Sequence, residues 1–274
     1  MVYKSLSKDD CALKITKIQL QKRKGRFNIY IDGKYSFSLS EDVLVKYHLF
    51  KDQELTSTQI ENLSNADETA KAHSKALTYL SSQLRTEKEV TDYLKKHDIS
   101  PEKIQLVLEK LRYEKLLDDK KYAESYIRTM MKTSDKGFKV IRNNLRSKGV
   151  LEKTIEDAEK EYNSSYMIQK GIALAKKYER QYSRYPFNQK IQKIKQRFLA
   201  KGFSSEELRA ITDSVDFGRN EDAEKQLLQE QATKLWHKYH STIPKQRYFK
   251  VKQALYRKGF SLSEIETVLA NFTE

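Results

Sequence analysis

A single cysteine, Cys11, leaves this chain without a disulfide framework or a Cys-based zinc site. Only 8 glycines and 3 prolines interrupt 274 residues, and so few breakers argue for helix. Apolar residues are scarce at 38%, which suits thin helix pairs or triplets better than one thick core. No stretch approaches the length of a transmembrane span. Met1–Cys11 lacks the apolar segment of a secretory signal, so a cytoplasmic location is expected, with no membrane partner. No glycine-rich phosphate loop occurs, which removes the usual ATPase signature. Acidic residues are in deficit: 38 Asp+Glu against 53 Lys+Arg give a formal charge of +15 and point to a polyanionic partner. The two signs are interleaved, unlike a disordered tail.

What is present divides the chain near residue 67. Before it, Phe27, Ile29 and Ile31 alternate, Asp32-Gly33 follows, and Tyr35, Phe37 and Leu39 alternate again. Period two on both sides of Asp-Gly predicts a β-hairpin with a type I′ turn. Ile18 and Leu20 suit an earlier strand, joined through Lys22-Arg23-Lys24-Gly25-Arg26. A helix start is expected at Ser40-Glu41-Asp42 and a second short helix over Thr56–Leu63. Residues 1–66 thus read as a small α+β domain with a three-stranded meander.

After residue 67 a repeat emerges. Leu94-Lys-Lys-His-Asp-Ile99, Leu145-Arg-Ser-Lys-Gly-Val150, Phe198-Leu-Ala-Lys-Gly-Phe203 and Leu255-Tyr-Arg-Lys-Gly-Phe260 start 51, 53 and 57 residues apart. Val90, Ile141, Ile194 and Val251 lie four residues before these starts, giving each helix its buried stripe. Ile104, Ile155, Leu208 and Ile265 lie five residues after the ends, followed by Val107, Ala158, Ile211 and Val268, then Leu111, Tyr162, Val215 and Phe272. Gly149, Gly202 and Gly259 are placed to take the left-handed conformation that closes a helix, where Asp98 stands in the first unit. Caps are expected at Ser100, at Ser204 or Ser205, and at Ser263. A further helix precedes each pair, with stripes Leu77/Leu80/Leu84, Tyr122/Tyr126/Met130, Ile168/Ile172/Ala175 and Leu228/Ala232/Leu235/Tyr239. Self-similarity at about fifty residues marks a repeat array. The expected fold is mainly α: an elongated array of about four three-helix repeats over 67–117, 118–165, 166–217 and 218–274.

Charge concentrates in equivalent windows. Lys176–Lys201 holds nine basic residues and one acid, Arg128–Lys148 seven and one, and Lys238–Lys258 seven and none. Stacked repeats would line these into a basic stripe suited to a phosphate backbone. The candidate residues are Arg128, Lys136, Lys139, Arg142 and Arg146; Lys176, Lys177, Arg180, Lys190, Lys193, Lys195, Arg197 and Lys201; and Lys250, Lys252, Arg257 and Lys258. Arg142, Lys195 and Lys252 are direct equivalents. Lys22, Arg23, Lys24 and Arg26, at the tip of the first strand connection, are secondary candidates. Tyr178, Tyr182, Tyr185 and Phe187 lie among the charges, where packing is the expected role and base stacking the alternative.

Catalytic readings find little support. His237 and His240 lie three apart but without an acidic companion, and Asp118-Asp119 precede a helix start, where capping is expected. Ser81-Ser82 and Ser164-Ser165 have no histidine nearby in sequence. Neither a metal nor another cofactor is expected, nor a small-molecule substrate.

The residues resemble a known family. Ala76-Leu-Thr-Tyr-Leu-Ser81 with Leu84-Arg-Thr-Glu-Lys-Glu-Val90, and Leu116-Leu-Asp-Asp119 with Tyr122-Ala123 and Tyr126, are similar to RecX regulatory proteins. So is Ser134-Asp-Lys-Gly137 with Ile141 and Leu145-Arg-Ser-Lys-Gly149. Ile29 to Leu44, with Ile31-Asp-Gly33 and Ser40-Glu-Asp-Val-Leu44, resembles the N-terminal extension of RecX proteins from Gram-positive bacteria. The resemblance implies tandem three-helix repeats, no catalytic residues and no cofactor. It also implies a part in DNA repair and recombination: control of RecA filaments on single-stranded DNA, restraint of their ATP hydrolysis and strand exchange, and direct binding of single- and double-stranded DNA. A monomer is expected.

Overall fold

The computed structural model describes residues 13–22 and 25–272. Strands β1 (Leu13–Leu20), β2 (Arg26–Ile31) and β3 (Lys34–Ser40) form the meander, with Ile18 opposite Ile29 and Ile29 opposite Phe37. Asp32 and Gly33 take φ of 48° and 78°, the paired positive values a type I′ turn requires. An unanticipated fourth strand, β4 (Glu54–Leu55), pairs with Leu13 and Lys14 to give the order β3-β2-β1-β4. Two residues are too short for alternation to register. Helix α1 (Glu41–Lys46) follows, and Ile15, Ile29, Leu39, Val43, Leu55 and Leu63 share the core.

The short helix expected over Thr56–Leu63 is instead the start of α2 (Ser57–Leu80), opened by a Thr56–Gln59 capping box. The boundary expected between residues 66 and 67 therefore falls inside one helix. Asp67 fastens that helix to the sheet. Its carboxylate accepts from the Ser40 N–H at 2.7 Å, the Arg26 guanidinium at 3.1 Å and the Lys71 ammonium at 2.8 Å. Burial alone would push this carboxyl up; the bonds from Lys71, Arg26 and Ser40 hold it below the usual carboxylate range.

Four helical triplets follow. The first comprises the end of α2 with α3 (Glu87–Lys95) and α4 (Pro101–Tyr113). The second is α5 (Asp119–Thr133), α6 (Phe138–Ser147) and α7 (Glu152–Ala158), closed by a 3-10 turn at Glu159–Glu161. The third is α8 (Ser164–Gln181), α9 (Phe187–Ala200) and α10 (Ser205–Asp213). The fourth is α11 (Glu221–Lys238), α12 (Pro244–Arg257) and α13 (Leu262–Ala270). The chain forms two compact units: one holds residues through Ala123 with Ser147–Thr154, the other Glu124–Arg146 with Ile155–Glu274.

The repeat alignment holds at the second helices. Val90, Ile141, Ile194 and Val251, and their partners Leu94, Leu145, Phe198 and Leu255, are all fully buried. The first helices required correction. Leu77 and Leu84 are exposed, and Ala72 and Ala76 form the buried stripe with Leu80 and Tyr79 against it. In α5 the deepest positions are Ala123 and Ile127, one residue beyond Tyr122 and Tyr126. In α8 they are Met167, Gly171 and Ala175, one before Ile168 and Ile172. Small residues allow close helix approach here, and an apolarity pattern passes over them. Leu228 and Ala232 of α11 are buried as expected. Ser204 caps α10 in a box with Glu207, Ser261 rather than Ser263 caps α13, and Ser100 makes no side-chain cap beside Pro101.

Candidate nucleic-acid interface

All seventeen primary candidates lie in the second compact unit. Their surroundings separate two groups. One group serves the joints between repeats. The Gly137 N–H donates to the Lys201 carbonyl oxygen at 2.9 Å, and the Lys139 N–H to that of Gly202 at 3.1 Å. The carbonyl end of α9 thus meets the amide end of α6, opposite dipole ends in contact. The Lys201 ammonium reaches Asp135 at 2.6 Å, and this bond, with its charge, holds the Asp135 carboxyl below the usual range. Gly202 has φ +84°, and a Cβ there would meet the Val140 backbone nitrogen at 2.6 Å. The first unit repeats the device: Thr86 Oγ1 donates to the Lys148 carbonyl oxygen at 2.7 Å, and the Lys148 ammonium pairs with Glu89 at 2.6 Å.

Other candidates are also engaged. Arg128 pairs with Glu161 at 2.8 Å, Lys190 lies 3.8 Å from Glu179, and Lys258 donates to Gln231. The three direct equivalents part company. Arg142 pairs with Glu156 at 3.3 Å and Lys252 with Glu266, fourteen residues on in each case. In the third repeat that acidic position is Arg209, which lies 3.7 Å from Asp213 on its own helix. Lys195 is exposed and has no ion pair among the described residues. Sequence reading missed Arg209; comparing the repeats at a fourteen-residue offset would have found it.

The outward face is built from the exposed candidates. Lys136, Lys139, Arg146, Lys176, Lys177, Arg180, Lys195, Arg197, Lys250 and Arg257 are all exposed. On α6, burial of Ile141 and Leu145 turns Lys139 and Arg146 outward. They border a cleft of about 580 Å³ that also includes Arg142, Glu206 and Glu207. Glu207 is buried and accepts from Tyr162 at 2.9 Å and Ser164 at 3.0 Å, so that carboxylate is structural. Burial, reinforced by Glu207, pushes the Tyr162 hydroxyl well above its ordinary range.

The aromatics among these charges mostly pack. Tyr178 is buried edge-on against Phe198 at 5.8 Å, and Tyr182 links it to Tyr185. The ring of Tyr185 is partly exposed, with the Lys193 ammonium 4.6 Å from its centroid. On α12 the aromatics Phe249 and Tyr256 are also exposed, outside the run of aromatics considered in the third repeat. Of the secondary candidates, Lys22 is exposed, Arg26 belongs to β2 and is committed to Asp67, and Arg23 and Lys24 lie outside the described residues.

The residues weighed for catalysis have structural partners. Asp118 accepts from the Lys120 and Lys121 N–H groups at 3.0 Å, capping α5, and Asp119 accepts from the Glu87 N–H at 2.9 Å at the start of α3. Burial raises the Asp119 carboxyl. His240 Nδ1 lies 3.0 Å from the His237 carbonyl oxygen. Among the described residues no helix is long and apolar enough to cross a membrane.

Comparison with known proteins matches residues 13–56 to the regulatory protein RecX N-terminal domain, 72–111 and 118–158 to the first and second RecX three-helix domains, and 222–269 to the third. Triplet α8–α10 lies between the last two spans. The chain is 46% identical to the regulatory protein RecX of Levilactobacillus brevis, covering 95% of this chain and 98% of that protein. It is 37% identical to that of Bacillus subtilis, covering 93% and 97%. A crystal structure of regulatory protein RecX superposes with a TM-score of 0.69 at 44% identity, over 74% of this chain and all of that one. RecX from Lactobacillus salivarius gives 0.54 at 45% identity, over 56% and 99%.

Proposed function

The chain belongs to the RecX family of regulatory proteins, and from that premise we propose that it is a non-catalytic, monomeric regulator of RecA. It acts in the cytoplasm on the RecA filament on single-stranded DNA, restraining ATP hydrolysis and strand exchange. It also contacts DNA directly through the outward cations of α6, α9 and α12. The observation that supports the DNA contact is the set of exposed cations left after the joint lysines are set aside, with Lys195 and Arg197 at its centre. Phosphate contacts need such solvent-facing cations, because each displaces condensed counterions.

The test preassembles RecA filaments on single-stranded DNA, adds substoichiometric protein and follows ATP hydrolysis. Inhibition is expected at fewer molecules than would cover the strand. Inhibition only in excess, and only when the protein is added before RecA, would instead make this a general single-strand-coating protein. In parallel, the double change Lys195→Glu with Arg197→Glu should weaken DNA binding and flatten its salt dependence by about 0.7 per lost contact on single strands. An unchanged slope would remove α9 from the interface.

A further inference from the structure

The outward positions of the second helices change chemistry along the chain. Two residues before each buried aliphatic, and five after it, the side chains are Lys88 and Lys95 on α3, Lys139 and Arg146 on α6, Gln192 and Leu199 on α9, and Phe249 and Tyr256 on α12. The fold holds these positions equivalent, since Val90, Ile141, Ile194 and Val251 are all fully buried. On α12, therefore, two large aromatic side chains stand where the first two repeats carry cations and the third carries Gln192 and Leu199. Phe249 is 59% and Tyr256 57% exposed, despite the solvation cost of exposing such rings. They lie seven residues apart, two helical turns, on one stripe with exposed Gln253 between them.

Cations follow both rings. Lys250 comes directly after Phe249 and Arg257 directly after Tyr256, and both are exposed. No acidic residue occurs on α12. A protein-docking patch concentrates apolar groups and excludes lysine from its centre. Aromatic faces alternating with unpaired cations suit a ligand whose planar groups are strung on an anionic backbone.

We propose that α12 is a stacking platform for single-stranded nucleic acid, with Phe249 and Tyr256 against unpaired bases and Lys250 and Arg257 on the flanking phosphates. This rests on the DNA contact proposed above and assigns its strand preference. Stacking needs a base face free of its stacked neighbours, which a duplex keeps covered, so a duplex gains nothing from the rings. Phosphate contact is available to both forms. The repeats then divide the work: α6 and α9 hold the backbone, and α12 distinguishes single strand from duplex.

The test measures the anisotropy of a labelled oligothymidylate and of a labelled mixed-sequence duplex with the full chain. The double variant Phe249→Ala with Tyr256→Ala should bind the single strand roughly tenfold or more weakly. Its duplex affinity and its salt slope should stay unchanged, because no phosphate contact is lost. Lys250→Ala with Arg257→Ala should flatten the slope for both DNAs. Phe249→Tyr with Tyr256→Phe should retain single-strand affinity. A urea midpoint equal to that of the unaltered chain confirms that the exposed rings are not structural. Equal losses on single strand and duplex, or no loss on either, would overturn the platform while leaving DNA binding and RecA restraint in place. Intact DNA binding with lost filament association would make the rings a protein contact instead. Absence of binding by the unaltered chain would overturn the DNA contact itself.

Discussion

Lys195, within α9, and Lys201, which caps its end, lie six residues apart, carry the same charge and do different work. Lys201 is drawn into the joint, bound to Asp135 while its carbonyl receives the Gly137 N–H. Lys195 faces solvent with no ion pair among the described residues. A charge count treats them alike; the fold separates a cation that secures the stacking of repeats from one available to a ligand. The same division separates Arg26, held by Asp67, from Lys22, which is exposed.

The comparison is tested hardest at Gly202→Ala. The substitution puts a Cβ on a backbone at φ +84° and 2.6 Å from the Val140 nitrogen. Left-handed strain and overpacking against backbone should together cost about 3 kcal/mol. Urea unfolding followed by circular dichroism should show the transition moving to lower denaturant. At Gly259 the obstacle is mainly the Gln189 Cβ at 3.0 Å, a looser contact, so Gly259→Ala should cost less. Equal costs at the two sites would mean that backbone conformation, not close approach, sets the requirement.

Next in size is a reciprocal pair. Lys201→Ala should lower stability by about 1 kcal/mol, since the pair is partly exposed, and leave the DNA salt slope unchanged. Lys195→Ala should do the reverse, with stability unchanged within about 0.5 kcal/mol and a flatter slope. If both variants changed both quantities, the distinction between joint and outward cations would fail.

Acid sharpens the same contrast. Lys201 holds the Asp135 carboxyl below its ordinary value. A depressed carboxylate contributes stability above the unfolded pKa and loses it as pH falls through the folded one. The stability difference between the unaltered chain and Lys201→Ala should therefore be full at neutral pH and shrink below about pH 4. Urea midpoints measured from neutral pH to about pH 3 would show it. A gap that persists in acid would mean that lysine packing, not charge, stabilises the joint.

The second helices were legible in the sequence because their signal is doubly redundant. Ile141 and Leu145 recur as Ile194 and Phe198, then as Val251 and Leu255, and all six are fully buried. The first helices were less so: Ala72, Ala76 and Gly171 pack closely without standing out as apolar. Helix α2 was read as ending early because its middle is polar, and Asp67 resembles a boundary until its three donors are placed around it. At the candidate site, the basic windows located the surface but not its active members. Ion pairing is decided by partners such as Glu156, Glu266 and Asp135, which lie fourteen to sixty-six residues away.

The smallest expected effect tests why Asp98 is tolerated where the other repeats use glycine. Asp98 has φ 59°, the same left-handed conformation as Gly149, Gly202 and Gly259. The backbone demand is therefore shared, and aspartate meets it at a modest cost. The surroundings differ: Asp98 is exposed, whereas a Cβ on Gly149 would lie 2.5 Å from the Lys88 Cβ. Asp98→Gly should relieve left-handed strain while giving the unfolded chain more freedom to lose, and the two terms nearly cancel, leaving a change within about 0.5 kcal/mol. Gly149→Ala, in the crowded version of the same turn, should destabilise several times more. Urea midpoints of the two variants, measured side by side, decide the matter. A shift at Asp98→Gly as large as that at Gly149→Ala would show that conformation alone selects glycine, and the account of these turns as sites of close approach between repeats would fall.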